Sequence, residues 1–102
     1  NMNPVSAINK HFESRIRLGI MSLLMVNEWL DFNTLKETLQ ITDGNLASHI
    51  NGLEKEQYLE IKKEFAGKKP RTSFRATDTG RTAFINHLNA LEALLKLNQK
   101  HI

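Results

Sequence analysis

Asn45, Ser48 and His49 lie within five consecutive positions, and each side chain can hydrogen-bond a base edge or a phosphate. An Asn amide suits adenine, and a Ser hydroxyl tolerates several edges. Further along, between Ile61 and Arg75, come Lys62, Lys63, Lys68, Lys69, Arg71 and Arg75 against the single acid Glu64. Hydrogen-bonding groups followed by concentrated cations are the chemistry of gripping a polyanion, one set for selection and the other for affinity. Each set has a plainer reading when taken singly. Polar residues on an amphipathic helix are ordinarily just solvated, and lysines commonly keep a loop soluble. Their succession in one short stretch, on a chain whose formal net charge is only +3, is what favours the functional reading.

The elements around them follow from periodicity. Leu46, Ile50 and Leu53 form an i, i+4, i+7 stripe that predicts a helix starting near Thr42 or Asp43. A rotation of about 100° per residue puts Asn45, Ser48, Gly52 and Lys55 opposite that stripe, with His49 at its flank. Gly52 costs a helix about 1 kcal/mol relative to Ala, so the helix either needs clearance there or is weak there. Leu59, Ile61 and Lys63 alternate with Tyr58, Glu60, Lys62 and Glu64, which predicts a strand. Ala66-Gly67-Lys68-Lys69-Pro70 reads as a turn, and Thr72 to Ala76 as the returning antiparallel strand. Pro70 stiffens the cationic tip by fixing φ.

Upstream, Ile8, Phe12, Ile16, Ile20, Leu23 and Leu24 predict one helix over 6–26 with Ser6 as its cap. Glu28 to Phe32 reads as a turn or very short strand, and Asn33 as the cap of a second helix that buries Leu35 and Leu39. Thr77 or Asp78 opens a last helix over 78–98. Free N–H groups near Asn33-Thr34 and Thr42-Asp43 are natural phosphate donors. Asp43 would repel a phosphate, so it is expected to cap its helix or to lie along a groove edge. Phe84, Leu88, Leu91 and Leu95 follow +4, +3, +4 spacing like a coiled-coil seam.

Several function classes find no support. The chain has 102 residues and no cysteine, so disulfides and Cys-ligated zinc are excluded. His49 has no histidine at i±3 or i±4, and no metal cluster is expected. There is no nucleophile elbow, phosphate loop or His-Glu-x-x-His, so neither an enzyme nor a cofactor is expected. No apolar run spans a membrane, and no signal peptide is visible, which gives a cytoplasmic reading. Residues 1–102 read as one domain without repeats.

The order helix, short strand, helix, helix, strand, strand, helix is that of a winged helix-turn-helix, mainly α with a small β-hairpin wing and long terminal helices. The chain resembles small single-domain bacterial winged-helix transcriptional regulators of the MarR/ArsR type. The likeness rests on Arg15-Ile16-Arg17, Phe32 with Leu35, Ile41 to Ile50 with Leu53-Glu54, Tyr58-Leu59 with Phe65, Gly67 to Thr72, and Ala76-Thr77 with Gly80-Arg81. It spans Ile8 to Leu95. Ala47 and Ala76 stand where Ser and Leu are common, and Gln57 replaces a usual glycine before Tyr58.

The resemblance implies a double-stranded DNA partner. A recognition helix over 42–57 would enter the major groove, and a wing over 66–72 would hold the backbone or minor groove. The implied contacts are Thr34, Thr42, Asn45, Ser48, His49 and Lys55 from the helices, and Lys68, Lys69, Arg71 and Arg75 from the wing. It also implies a homodimer through the terminal helices, with Leu88, Leu91, Leu94 and Leu95 at the interface, and leaves room for an unidentified small-molecule effector. The alternative is a winged-helix protein-interaction module without a specific DNA site. RNA is a third reading, but the strands offer no stacking platform beyond Tyr58, Phe65 and Phe74.

Overall fold

The structure, a computed structural model, describes residues 9–12 and 14–99. After a 3-10 turn at Lys10–Phe12 come helix α1 (Arg15–Val26), strand β1 (Leu30–Asp31), helix α2 (Phe32–Leu39), helix α3 (Asp43–Lys55), strands β2 (Leu59–Ala66) and β3 (Lys69–Ala76), and helix α4 (Asp78–Gln99). The three strands form one antiparallel sheet in the order β1-β3-β2. This is the winged-helix arrangement that the element order predicts.

The core is set by the apolar stripes. Ile20, Met21 and Leu24 of α1, Leu35 of α2, and Leu46, Ile50 and Leu53 of α3 are buried together against Leu59, Phe74 and Ala76 of the sheet. Burying one such aliphatic or aromatic side chain stabilises by roughly 1.5–3 kcal/mol. The stripe therefore fixes the rotation of α3 and, with it, which residues face outward.

The first helix departs from expectation. Its Ser6 cap lies outside the described residues. Within them, the helix starts at Arg15, where Ser14 is extended and its Oγ accepts the Ile16 N–H at 3.2 Å. The break turns Phe12 inward. Its ring meets Tyr58 and His87 at 5.4 Å and Phe84 at 5.5 Å, so one buried aromatic ties the N-terminal segment to both α4 and the corner just before β2. The cap of α2 also shifts. Asp31 takes the position expected for Asn33, and α2 begins two residues earlier, at Phe32.

Two corners position the wing and α4. Gln57 adopts φ +61°, the left-handed conformation that explains why a glycine is usual before Tyr58. Its carbonyl accepts the Thr77 hydroxyl at 2.6 Å, and the same hydroxyl oxygen accepts the Gly80 N–H at 2.9 Å. Gly80 lies directly on the Tyr58 backbone carbonyl, where any Cβ would collide. Arg81 then donates to the carbonyls of Leu24 and Met25, at 3.4 and 3.3 Å, and closes the C-terminal end of α1.

The inward row of α4 is not the one its leucines suggested. Phe84, His87 and Ala90 are buried, and the His87 Nδ1 accepts the Asn9 N–H at 3.2 Å. Leu88, Leu91 and Leu95 instead form an exposed row with Ile85, while Leu94 is half-buried. Phe84 therefore belongs to the core and not to a common seam with Leu88.

Candidate nucleic-acid interface

Helix α3 is the element that the stripe of Leu46, Ile50 and Leu53 turns outward. Thr42 is its N-cap, with the Oγ1 accepting the Asn45 N–H at 3.2 Å. Asp43 does not cap. It pairs with Lys36 of α2 at 2.7 Å, which offsets a negative charge at the mouth of the helix. Asn45, Ser48 and Lys55 are exposed.

The wing is a tighter hairpin than its sequence suggested. Strand β2 runs to Ala66 and β3 begins at Lys69, leaving Gly67–Lys68 as a two-residue loop. Only Gly67 has positive φ, +70°, the pattern of a type II′ turn. Lys69, Pro70 and Arg71 thus belong to a strand. Pro70 pairs with Phe65, and β1 reaches only Ser73 and Phe74, so the proline's missing N–H faces no neighbouring strand on that side.

Strand register places Lys63 on one face of the wing and Lys62, Lys69, Arg71 and Arg75 on the other. Ile61, Lys63, Phe65, Pro70, Thr72 and Phe74 share the face toward α3. Between that face and α3 runs an open groove to which Asn33, Ala47, Asn51, Lys63, Lys69 and Arg71 contribute. Lys63, Lys68, Lys69 and Arg71 are exposed, and Phe65 is 75% exposed near the tip.

Arg75 lies elsewhere. It is opposite Glu60, forms an ion pair with it, and sits over the Trp29 ring with its guanidinium 4.8 Å from the centroid. Lys62 covers the same ring at 4.3 Å and reaches Glu64 at 3.8 Å. Two of the six cations are therefore engaged on the outer face of the sheet, and Arg75, expected at the wing's contact surface, is committed to Glu60 and Trp29. The alternation of β2 already placed Glu60 and Lys62 on this face, and the pairing register carries Lys69, Arg71 and Arg75 there as well; nearer the tip, Lys69 and Arg71 also border the groove.

Two other expected contacts are modified. The Thr34 hydroxyl donates to Asp31 Oδ1 at 2.5 Å, and this bond holds the Asp31 carboxyl below the usual carboxylate range. That carboxylate stands at the N-terminus of α2, so the phosphate site expected from Thr34 is already filled by an anion of the chain itself. His49 is half-buried, and its Nδ1 accepts from Arg17 Nε of α1 at 3.1 Å. Burial first, and the Arg17 charge second, push its pKa down. The Arg17 guanidinium lies over Gly52, which accounts for that glycine: a Cβ there would strike it. Gly52 thus faces α1 and not the open side.

Asn51, Asn33 and Lys63 were missed as site residues. The same 100° rotation places Asn51 beside Ser48, toward the wing. Lys63 was legible as a cation on the inward-alternating strand positions. Among the described residues no group of His, Asp or Glu could hold a metal ion, and no helix is long and apolar enough to cross a membrane.

Residues 16–95 match the model of the winged helix DNA-binding domain, and the chain belongs to that family. It is 39% identical over 87 residues to the uncharacterized protein MJ0432 of Methanocaldococcus jannaschii, covering 85% of this chain and 95% of the relative. Among solved structures it is similar to a transcriptional regulator homologue from Pyrococcus horikoshii OT3, with 32% identity, 93% and 96% of the two chains covered, and a TM-score of 0.85. A MarR-family transcriptional regulator from Silicibacter pomeroyi shares the fold, with 15% identity, a TM-score of 0.65, and 88% of this chain and 62% of that chain covered. The first two relatives are archaeal, so the likeness extends beyond bacterial regulators.

Proposed function

We propose that the chain is a sequence-specific regulator that binds double-stranded DNA as a homodimer. Asn45 and Ser48, with His49 and Asn51 beside them, enter the major groove. Lys68, Lys69, Arg71 and Lys63 hold the adjacent backbone. The observation that carries this reading is the sorting of charge. Lys63, Lys69 and Arg71 border the groove between α3 and the wing with no ion-pair partner among the described residues, whereas Lys62 and Arg75 are engaged by Trp29, Glu60 and Glu64. Phe65 and Pro70, apolar and exposed among these cations, suit contact with sugar edges or an opened base step in the minor groove.

The dimer reading rests on Ile85, Leu88, Leu91 and Leu95, an apolar row along the exposed side of α4. A two-fold pair would present two recognition helices to half-sites about 10 bp apart. The regulator class is supported by the likeness to the transcriptional regulator homologue from Pyrococcus horikoshii. Selecting bound duplexes from a random pool, with particle mass measured alongside, tests both parts. Enrichment of a near-palindrome by a particle of two chains is the expected result. No enrichment at any salt concentration would overturn the proposal. A single-chain mass, or a Leu88→Glu, Leu95→Glu variant that remains dimeric, would overturn the dimer.

A further inference from the structure

Arg17 is on α1, one layer away from the proposed reading face, yet it is bound into that face. Its guanidinium lies across Gly52, and its Nε donates to the His49 Nδ1 at 3.1 Å. A neutral imidazole carries one proton on either nitrogen, and the bond made by one nitrogen decides the state of the other. A nitrogen that accepts from a guanidinium cannot carry a proton. The proton must then be on Nε2, so that nitrogen is an N–H donor with no acceptor character.

We infer that Arg17 is a positioning residue that fixes His49 as a neutral Nε2–H donor, so that the recognition helix selects a base edge that accepts a hydrogen bond at this position. The inference rests on the proposed entry of α3 into the major groove. There, guanine offers N7 and O6, adenine N7 and thymine O4 as acceptors, while cytosine offers its N4 amino donor. His49 therefore selects against cytosine. The geometry supports this in two further ways. Gly52 provides the only side-chain-free surface in α3 beside His49 on which the guanidinium can lie flat. Burial and the neighbouring Arg17 charge both oppose a second proton on the ring.

The inference is tested by two readouts. The first is the ¹⁵N signature of the His49 ring in the free full-length chain at neutral pH. The expected result is a protonated Nε2 and an unprotonated, hydrogen-bonded Nδ1. The Arg17→Met variant keeps an apolar stem over Gly52 and removes the donor, so the Nδ1 signature should move toward that of an exposed histidine. The second readout is base preference in duplexes selected by the wild type, Arg17→Met and His49→Ala. Both variants should lose discrimination against cytosine at one position per half-site by roughly three- to tenfold, the worth of one hydrogen bond. Thermal unfolding shows whether Arg17→Met still folds. If it does not, Gly52→Ala, which displaces the guanidinium from α3, is used in its place. A ring protonated on Nδ1 in a protein that does select sequences overturns the inference alone. The predicted ring state in a protein that selects no sequence overturns the DNA reading instead. Loss of discrimination in His49→Ala but not in Arg17→Met overturns the role of Arg17.

Discussion

Replacing Lys68 and Lys69 together by Ala removes two exposed charges from the wing without touching the core. Neither lysine has a carboxylate within ion-pair distance among the described residues, and the cations that lie over the Trp29 ring are Lys62 and Arg75. The folded chain should therefore lose little stability, since exposed charges of this kind contribute within about ±0.5 kcal/mol. Duplex binding should change in a specific way. Each phosphate neutralised contributes roughly 0.9 to the slope of log K against log salt. Two lysines per wing account for about 1.8 per chain, or about 3.6 for a bound dimer. Between 50 and 200 mM salt, the affinity of one wild-type chain should thus fall about tenfold more than that of the variant. Fluorescence anisotropy of a labelled duplex across a salt series measures the slope directly. An unchanged slope, with binding intact, would refute the placement of the wing on phosphate. The same double substitution made at Lys62 and Arg75 should leave the slope nearly unaltered, because those cations are committed to Trp29, Glu60 and Glu64.

Three further perturbations follow from the same geometry. Gly80→Ala drives a methyl group into the Tyr58 carbonyl and strains the Thr77 N–H to Tyr58 bond of 3.1 Å. Overpacking and the weakened bond exceed the gain in helix propensity, for a net loss of about 1–3 kcal/mol by denaturant unfolding. Gln57→Gly relieves a left-handed residue and should stabilise by about 0.5–1 kcal/mol, partly offset by the greater freedom of the unfolded chain, and read by the shift in unfolding midpoint. Asp31 has a depressed pKa, chiefly through the Thr34 hydroxyl, so the stability it contributes is present above the ordinary carboxylate pKa and lost as pH falls through its folded value. Thr34→Val should then be less stable than the wild type near neutral pH, with the gap closing in acid; a constant gap would contradict the linkage.

Much of this was legible in residue order. Leu46, Ile50 and Leu53 fixed the rotation of α3 because a three-residue stripe admits only one buried face. Thr42 announced its helix by cap chemistry, and Gly67 announced the hairpin by its tolerance of positive φ. What local periodicity could not carry was the contact between elements. Nothing around His49 indicates that Arg17, 32 positions earlier, would take its Nδ1. The same holds for His87, whose burial depends on Phe12 and Asn9 folding back over α4. The helix break at Ser14 was hidden because Phe12 and Ile16 keep helical spacing although only Ile16 is in the helix. Arg75 was grouped with the tip cations because charge density was read along the chain, while what it touches, Glu60 and the Trp29 ring, is set by the register of the hairpin.

The central claim is that DNA lies between α3 and the inner face of the wing. Backbone amide shifts recorded while a selected duplex is titrated into the full chain test this most directly. The account predicts the largest changes at Asn45, Ser48, Asn51, Lys63 and Gly67 to Lys69, with Trp29, Lys62 and Arg75 nearly still. Changes centred on Trp29 and Arg75, or confined to Leu88 and Leu95 of α4, would contradict it.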